Sequence, residues 1–491
     1  MLEDYDRMTR VLRDVFPAAV VNKKVFGFDV FEKLKHYRTR ITDDMTSPAF
    51  MELLYDSLLA CKGDHLFPFD LYPYKDHQYI KEIAAIEEDA IEINHIYWEH
   101  FRQKNGHSKR ISIALFYHDG AYYSKHDFTC NGIKYKYGMK LLSVDGKTPA
   151  DILPSIQDYL TLFDFDNHIF YGGVPVGDNF YALMDQDENK SHVFKFEDEH
   201  KRIIELSVTG ASDVLIHKPD KVIFASGKTV EYFKEKKILY IRIPAMDIKD
   251  IPFYIAGIKK NGVNQAINAV VLDIRCNGGG SDLVWRKILA TIIRKEYRLH
   301  TRIAIKNTMA AKEHEGKQAA FYKKMNDVIY FDDKSKYLND RIPFLDDEEF
   351  LVKETADIIK PDSDSLNIQV PIYVIAHNIY SSSGNLIAFA RGADNITSFG
   401  TRNPMTIGQG SDIFLMSLPN SKIIFALQTH LDLTGCKTAE DTLHSQMEVE
   451  VKMTARERLD YINRDISNIS LENALTRYDP YYQKVLELLS S

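Results

Sequence analysis

Features that would assign the chain quickly are scarce. Its four cysteines, Cys61, Cys130, Cys276 and Cys436, are far apart and form no CxxC pair. That pattern argues for free thiols in a reducing compartment and against a disulfide framework. No uninterrupted apolar run approaches the roughly 18 residues a membrane helix needs, so no membrane span is expected. The first residues, Met1-Leu2-Glu3-Asp4-Tyr5-Asp6-Arg7, are acidic and carry no apolar stretch. A cytoplasmic protein without a secretory signal is the direct reading, although a trimmed export signal would leave the same chain. Basic clusters are lacking too: Lys234-Glu235-Lys236-Lys237 is diluted by acid, and the formal net charge is −8. A nucleic-acid partner is therefore not expected. There is no HExxH, His95 and His100 stand five apart, and His314-Glu315 has no partner at a zinc spacing, so no metal is expected. Gly146-Lys147-Thr148 lacks the first glycine of a phosphate loop, because Leu141 stands there. Gly278 and Gly280 lack the third glycine of a dinucleotide fingerprint, because Leu283 stands there. No cofactor is expected.

What is present suits a globular protein of two or three domains. The 491 residues are 45% hydrophobic and 27% charged, enough for a sizeable core. The first hundred residues read as helical. Leu2, Tyr5, Met8, Leu12 and Val15 recur at helical spacing up to Pro17, and Ser47-Pro48 opens a second helix that stops at Lys62-Gly63. A third is expected from about Gln78 to Phe101. From about Ser108 the period becomes that of strands. Asp119-Gly120 joins Ile111–Leu115 to Ala121–Tyr123 as a hairpin, and further strands fall at Tyr137–Val144, Val193–Phe196 and Arg202–Val208. Beyond residue 216, strand and helix alternate, which implies an α/β layer structure. Ile238–Ile243 and Ala269–Arg275 are buried strands, each followed by a helix. Residues 310–364 are charged and helical and read as an insertion or lid. The expected division is 1–106 helical, 107–215 β-rich and 216–478 an α/β core.

Two stretches carry chemistry. Val370–Ala376 is a short apolar strand, and His377-Asn378-Ile379-Tyr380-Ser381-Ser382-Ser383-Gly384-Asn385 follows it into a helix. A strand, a tight turn bearing hydroxyls and a helix N-terminus together expose a serine to free backbone N–H groups. The alternative is that the three serines only cap the helix. The second stretch, Asn277-Gly278-Gly279-Gly280, closes the Ala269–Arg275 strand with a turn that lets backbone amides approach an anion. A flexible turn is the alternative there.

Together these residues resemble the tail-specific (carboxyl-terminal processing) serine proteases. Leu272-Asp273-Ile274-Arg275-Cys276-Asn277-Gly278-Gly279-Gly280 is similar to the family's "LDLRxNxGG" strand, and Tyr380–Asn385 to its "(T/Y)(S/A)SxxE" nucleophile turn. Ile238–Ile243 resembles "xGYIRI", Phe414–Ser421 resembles "FxLPNS", and Gly138–Thr148 resembles a PDZ-type segment. The resemblance implies a crotonase/Clp-protease-like α/β core, an N-terminal helical domain and a β-rich PDZ-like region.

It also implies a set of roles. Ser382 would be the nucleophile, three positions before Asn385, where the family usually has Glu; Ser381 and Ser383 are the alternatives. The lysine of the family's "FGKG" turn is missing, since Gln409 stands in Ile407-Gly408-Gln409-Gly410. The histidine-using branch, that of the tricorn core protease and a chlamydial protease, is the better match. Cys61-Lys62-Gly63-Asp64-His65 is similar to its "GDxH" context and makes His65 the base, against a solvent-facing histidine at a helix end. Glu440 would orient the imidazole, with Asp432 and Asp64 as rivals. Gly279 or Gly280 with Ser383 would bind the oxyanion. The implied activity is a serine endopeptidase acting on extended or C-terminal protein segments, and the resemblance leaves room for a homo-oligomer. Two readings from other classes stand beside it: a catalytically inactive relative that binds a peptide or small hydrophobic ligand, and an acyl-CoA enzyme.

Overall fold

The structure, a computed structural model, describes all residues except 64, 77–83, 85, 107–112, 119, 157–189, 210–213, 224–226, 325–335, 346–348, 402–412, 444–446 and 491. In chain order, the helices α1 (Leu2–Val15), α2 (Ala18–Phe26), α3 (Val30–Arg38) and α4 (Ser47–Ala60) lead to strand β1 (Phe67–Pro68) and helix α5 (Glu88–Gly106). Strands β2 (Leu115–His118), β3 (Ala121–Ser124), β4 (Asp127–Cys130), β5 (Ile133–Tyr135) and β6 (Lys140–Val144) precede α6 (Pro149–Ile156), β7 (His192–Glu197), β8 (Ile203–Val208) and β9 (Val214–His217). Then follow β10 (Thr229–Phe233), β11 (Ile238–Arg242), α7 (Ile251–Gly262), β12 (Ala269–Asp273), α8 (Asp282–Ile292) and β13 (Tyr297–Lys306). Next are α9 (Met309–Lys324), β14 (Lys336–Arg341), β15 (Glu349–Ile359), β16 (Ile372–Ala376), α10 (Ser382–Arg391) and β17 (Ile396–Gly400). The chain ends with β18 (Ile413–Ser417), β19 (Ile424–Gln428), β20 (Leu431–Asp432), β21 (Val449–Glu450), α11 (Ala455–Ile462), α12 (Leu471–Tyr478) and α13 (Pro480–Ser490).

The chain forms two compact units. One comprises Met1–Tyr97, Phe224–Val451 and Pro480–Ser491. Its centre is a six-stranded sheet in the order β10-β11-β12-β16-β17-β21. β10 runs antiparallel to β11, and every later neighbour is parallel. β11, β12 and β16 are buried at every position, as strands covered on both faces require. The helices α7, α8 and α10 pack on them through Tyr254, Trp285, Leu289, Leu386 and Phe389. β12 and β16 are adjacent and parallel, so the turns that leave their C-terminal ends emerge side by side. Ligands of open α/β sheets bind at such strand ends.

A second sheet of this unit, β14-β15-β13-β20, departs from expectation. Residues 336–341 and 349–359 form antiparallel strands, the second of them paired with 297–306, where the sequence suggested a charged, helical insertion over 310–364; only α9 fits that reading. Their cross-strand charges, such as Arg302 opposite Glu354 at 3.5 Å, dilute the apolar alternation. The N-terminal helices differ in detail too. The cap of α4 is Thr46, whose hydroxyl accepts from the Ala49 amide, with the proline one turn-position on. α5 begins at Glu88, where acidic residues suit the helix's positive end, and Gln78 to Ile83 lie outside the described residues.

The other unit, Trp98–Ile223 with Lys452–Asp479, holds a five-stranded antiparallel sheet, β2-β3-β6-β7-β8, and a three-stranded one, β5-β4-β9. Phe128, Met139, Leu141, Phe194 and Phe196 fill its core. A hairpin is present between β2 and β3, but its first strand is Leu115–His118 and not Ile111–Leu115; Ile111, Ser112 and Asp119 lie outside the described residues. α11 is tied in by Tyr137 Oη donating to Asp460 at 2.8 Å and by an Asn463–His126 contact of 2.8 Å.

Near β13 lies a buried polar cluster. Glu315 of α9 meets His430 Nε2 at 2.7 Å and Lys353 of β15 at 3.4 Å. Its neighbour His314 is buried with its ring edge-on to Phe414 at 4.6 Å. Burial and the nearby His430 push the His314 imidazole down to about 4. Glu315 opposes that shift and Lys317 adds to it. The folded pKa is depressed, so the unfolded chain binds the proton first, at about 6.5. Stability should therefore drain away between roughly pH 6.5 and 4, by on the order of 3 kcal/mol at the lower end. Denaturant titrations at pH 7 and pH 4.5 check this: His314→Gln should lose less stability over that interval than the wild type, and equal losses would refute it.

Candidate active site

The Gly-rich turn after β12 starts from a buried charge network. Asp273 at the strand end is fully buried and accepts from Arg275 Nε at 2.9 Å and Tyr240 Oη at 2.7 Å. Arg275 makes a second bond to it through Nη2, and Arg242 lies 3.7 Å away. Burial alone would raise the Asp273 pKa, but the two guanidinium groups overcome it and hold the carboxyl well below the usual range. Arg242 also donates to the Asp273 carbonyl at 3.1 Å, which fixes the point where the strand stops.

From there the chain turns sharply. Cys276 takes φ +55, Gly279 +92 and Gly280 +131. Asn277 organises the turn: its Nδ2 donates to Ile243 O at 2.8 Å, and its Oδ1 accepts from the Gly279 amide at 2.8 Å. Gly279 is required by close approach, since a Cβ there would lie 2.7 Å from Tyr380 O and 2.6 Å from Ser381 Cβ. At Gly280 a Cβ would meet Met246 O at 2.3 Å.

The serine turn leaves β16 beside it, and the two are stitched together. The Cys276 amide donates to His377 O at 2.8 Å, and the Tyr380 amide to Asn277 O at 3.0 Å. Ser381 sits at φ +54, ψ −123, a conformation that L-residues adopt under constraint. None of the three hydroxyls caps α10. Ser381 makes no side-chain cap bond, and Ser383 Oγ donates to Asn277 O at 3.1 Å. Ser382 Oγ donates to Asp282 Oδ1 at 2.6 Å. Asp282 opens α8, directly after the glycine turn, and also accepts from Asn385 Nδ2 at 3.0 Å and from Trp285 Nε1 at 3.1 Å. The sequence reading gives Asp282 no role; its contact with Ser382 spans a hundred positions and left no local pattern.

His65 arrives from the N-terminal helices. It is buried, not solvent-facing, with its ring 4.8 Å from that of Tyr380, two residues before Ser382. Asn22 of α2, itself fully buried, donates to Cys61 O at 2.7 Å and Lys62 O at 2.9 Å and so fixes the end of α4. Gly63 leaves room for Leu66, which a Cβ would strike at 2.4 Å. After His65, β1 pairs with β19. The structure thus brings His65, the serine turn and the glycine turn to one place.

The remaining expected residues are placed as follows. The amide of Gly279 is engaged by Asn277, and that of Ser383 makes a 3.2 Å bond to Tyr380 O. Glu440 is exposed at the start of a short 3₁₀ turn, Glu440–Leu443. Asp432 accepts from the Thr434 amide at 2.7 Å. Asp64 and Gln409 lie outside the described residues. Among the described residues there is no group of three or more His, Cys, Asp or Glu side chains that could hold a metal ion, and no helix long and apolar enough to cross a membrane.

The glycine turn gives a direct prediction. Gly279→Ala adds a methyl group where φ is positive and Tyr380 O is in contact, so the serine turn must shift. Since misplacement by about 1 Å costs on the order of a hundredfold, peptidase activity should fall by about that factor while the far-ultraviolet circular dichroism spectrum stays that of the wild type. Full activity would refute the packing argument.

Comparison with known proteins agrees with this geometry. Residues 237–440, from β11 to the 3₁₀ turn at Glu440, match Peptidase family S41. No curated protein matches by sequence. Among solved structures, mature CPAF is similar at 14% identity with a TM-score of 0.58, over 100% of this chain and 96% of that one. Mature CPAF complexed with lactacystin is similar at 14% identity with a TM-score of 0.54, over 100% and 98%. At that identity these likenesses speak for a shared fold. The match to Peptidase family S41 spans both turns, and the chain is a serine-type peptidase.

Proposed function

We propose that the chain is an endopeptidase that cleaves extended or C-terminal protein segments through an acyl-enzyme on Ser382. His65 takes the Ser382 proton as the hydroxyl attacks the scissile carbonyl, then delivers it to the leaving amine. The observation that carries this reading is the meeting of three segments remote in sequence. His65 lies against Tyr380, and the glycine turn touches Ser381. Gly280 is the glycine we assign to the oxyanion, since the Gly279 amide already serves Asn277. Ser383, whose amide bond to Tyr380 O is long at 3.2 Å, is the second donor. One such donor typically supplies about 2.7–4 kcal/mol of barrier lowering. Glu440 is assigned as the acid that steadies the imidazolium, on the strength of the family resemblance alone. On the same basis we assign the sheet around β12 and β16 to the crotonase-like core and the β2–β8 region to a PDZ-like module that takes substrate by strand addition.

A second reading has one observation in its favour. The Ser382 hydroxyl donates to Asp282, as in a resting or inactive site. A non-catalytic relative that binds a peptide or small hydrophobic ligand would keep that bond permanently.

Labelling with a fluorophosphonate separates the two. The wild type should form a covalent adduct, Ser382→Ala should form none, and His65→Ala should react at least a hundredfold more slowly, as loss of a general base implies. Equal labelling of Ser382→Ala and wild type would transfer the role to Ser381 or Ser383. A folded wild type that never labels would establish the binding reading instead.

A further inference from the structure

The contact between Ser382 and Asp282 points to a residue that the family pattern leaves unassigned. We propose that Asp282 is a positioning residue that restrains the nucleophile: it holds the Ser382 hydroxyl in a resting orientation which must be broken before acylation. The inference rests on Ser382 being the nucleophile. A hydroxyl has one proton and cannot donate to Asp282 and to an imidazole at once. At 2.6 Å to a carboxylate oxygen, the observed bond is of the short, charge-assisted kind, roughly twice as strong as a bond to a neutral acceptor. Acylation needs the Oγ proton on the base while Oγ bonds to the carbonyl carbon, so the O–H must leave Asp282 first. A carboxylate beside Oγ also disfavours negative charge developing there.

The surroundings are built to hold Asp282 in place. Its Oδ1 accepts from Trp285 Nε1, one helical turn on, and Trp285 is buried against Phe389. Asn385 Nδ2 reaches both of its oxygens, at 3.2 and 3.0 Å. Asp282 stands in the first turn of the eleven-residue helix α8, where a carboxylate is favoured by the helix dipole. Asn385 is the position at which the resembled family usually has Glu. A Glu here would set a second carboxylate against Asp282, whereas the amide of Asn385 donates to it. The departure at Asn385 and the presence of Asp282 are thus one arrangement: an amide–carboxylate pair in contact with the nucleophile.

The restraint is measured by the limiting first-order rate of fluorophosphonate labelling and by the probe concentration at half-saturation. Asp282→Asn keeps the shape and makes the acceptor neutral. It should raise the limiting rate by about tenfold, the factor a neutral acceptor in place of a charged one implies, and leave half-saturation unchanged. The reciprocal exchange, D282N with N385D, rebuilds the amide–carboxylate pair but keeps a neutral group against Ser382, so its rate should stay raised. A return to the wild-type rate in the exchange would mean that only the integrity of the pair matters, and would overturn the proposal. So would an Asp282→Asn rate at or below that of the wild type, with the nucleophile reading intact as long as Ser382→Ala remains unlabelled. If Asp282→Asn does not fold, Asn385→Ala, which removes one of the two side chains steadying Asp282, should raise the rate in the same sense, and a fall would count against the restraint. Labelling in neither wild type nor any folded variant would remove the nucleophile reading and the restraint with it.

Discussion

The site depends on one buried carboxylate. Asp273 is held by Arg275, Arg242 and Tyr240 at the point where β12 leaves the sheet. Burying three charged groups is costly, and such clusters seldom add net stability over apolar packing. What this one supplies is geometry. The Arg275 amide bonds back to Asp273 Oδ1 at 3.1 Å and the Asp273 carbonyl is held by Arg242, so the strand end and the first residue of the turn are fixed together. The C-terminal helix α13 closes over the cluster, with the Arg275 guanidinium 5.5 Å from the Tyr481 ring and Tyr482 edge-on to Tyr240. Residues from both ends of the α/β core therefore hold the glycine turn, and losing one partner of such a buried set typically costs about 3–5 kcal/mol.

Backbone strain is then concentrated where chemistry is assigned. Positive φ values occur at Cys276, Gly279 and Gly280 in one turn and at Asn378 and Ser381 in the other. Each non-glycine case costs of order 1–3 kcal/mol and persists only if its neighbours enforce it. Here the enforcement is mutual: Asn277 O accepts from both the Tyr380 amide and Ser383 Oγ, so neither turn can relax alone. The adjacency of β12 and β16 in a parallel ladder is what places the turns within reach. Sheet order thus translates directly into site geometry.

Much of this was legible in the sequence, for a physical reason. β11, β12 and β16 are unbroken apolar runs because both faces of the strand are covered, and the glycine and serine turns are local in sequence. The sheet built on β13 and β15 was not legible, because charged residues within its strands, such as Arg302 paired with Glu354 across them, mask the period. Asp282 was unreadable for a different reason. An acidic residue at the first position of a helix is what the dipole favours anywhere, so its identity carried no information until Ser382 and Asn385 were seen to meet it. Likewise His65 could be read from context, but not its burial against Tyr380.

The position of His65 shows how the segment after the N-terminal helices is held against the serine turn. Helical hydrogen bonding ends with α4 at Ala60, so the carbonyls that follow it need other donors. A single amide, Asn22 Nδ2, supplies bonds to both Cys61 O and Lys62 O from inside the core. An apolar residue of similar size at position 22 would remove both bonds, at about 0.5–1.5 kcal/mol each, and would loosen the segment that leads into His65. On the far side β1 is short, but its pairing with β19 fixes where the chain emerges. His65 is consequently anchored at both flanks by elements that precede and follow it, while Ser382 is anchored by the parallel sheet. His65 and Ser382 are thus set by two separate pieces of framework, and the approach we propose between them depends on how those pieces pack and not on any local motif.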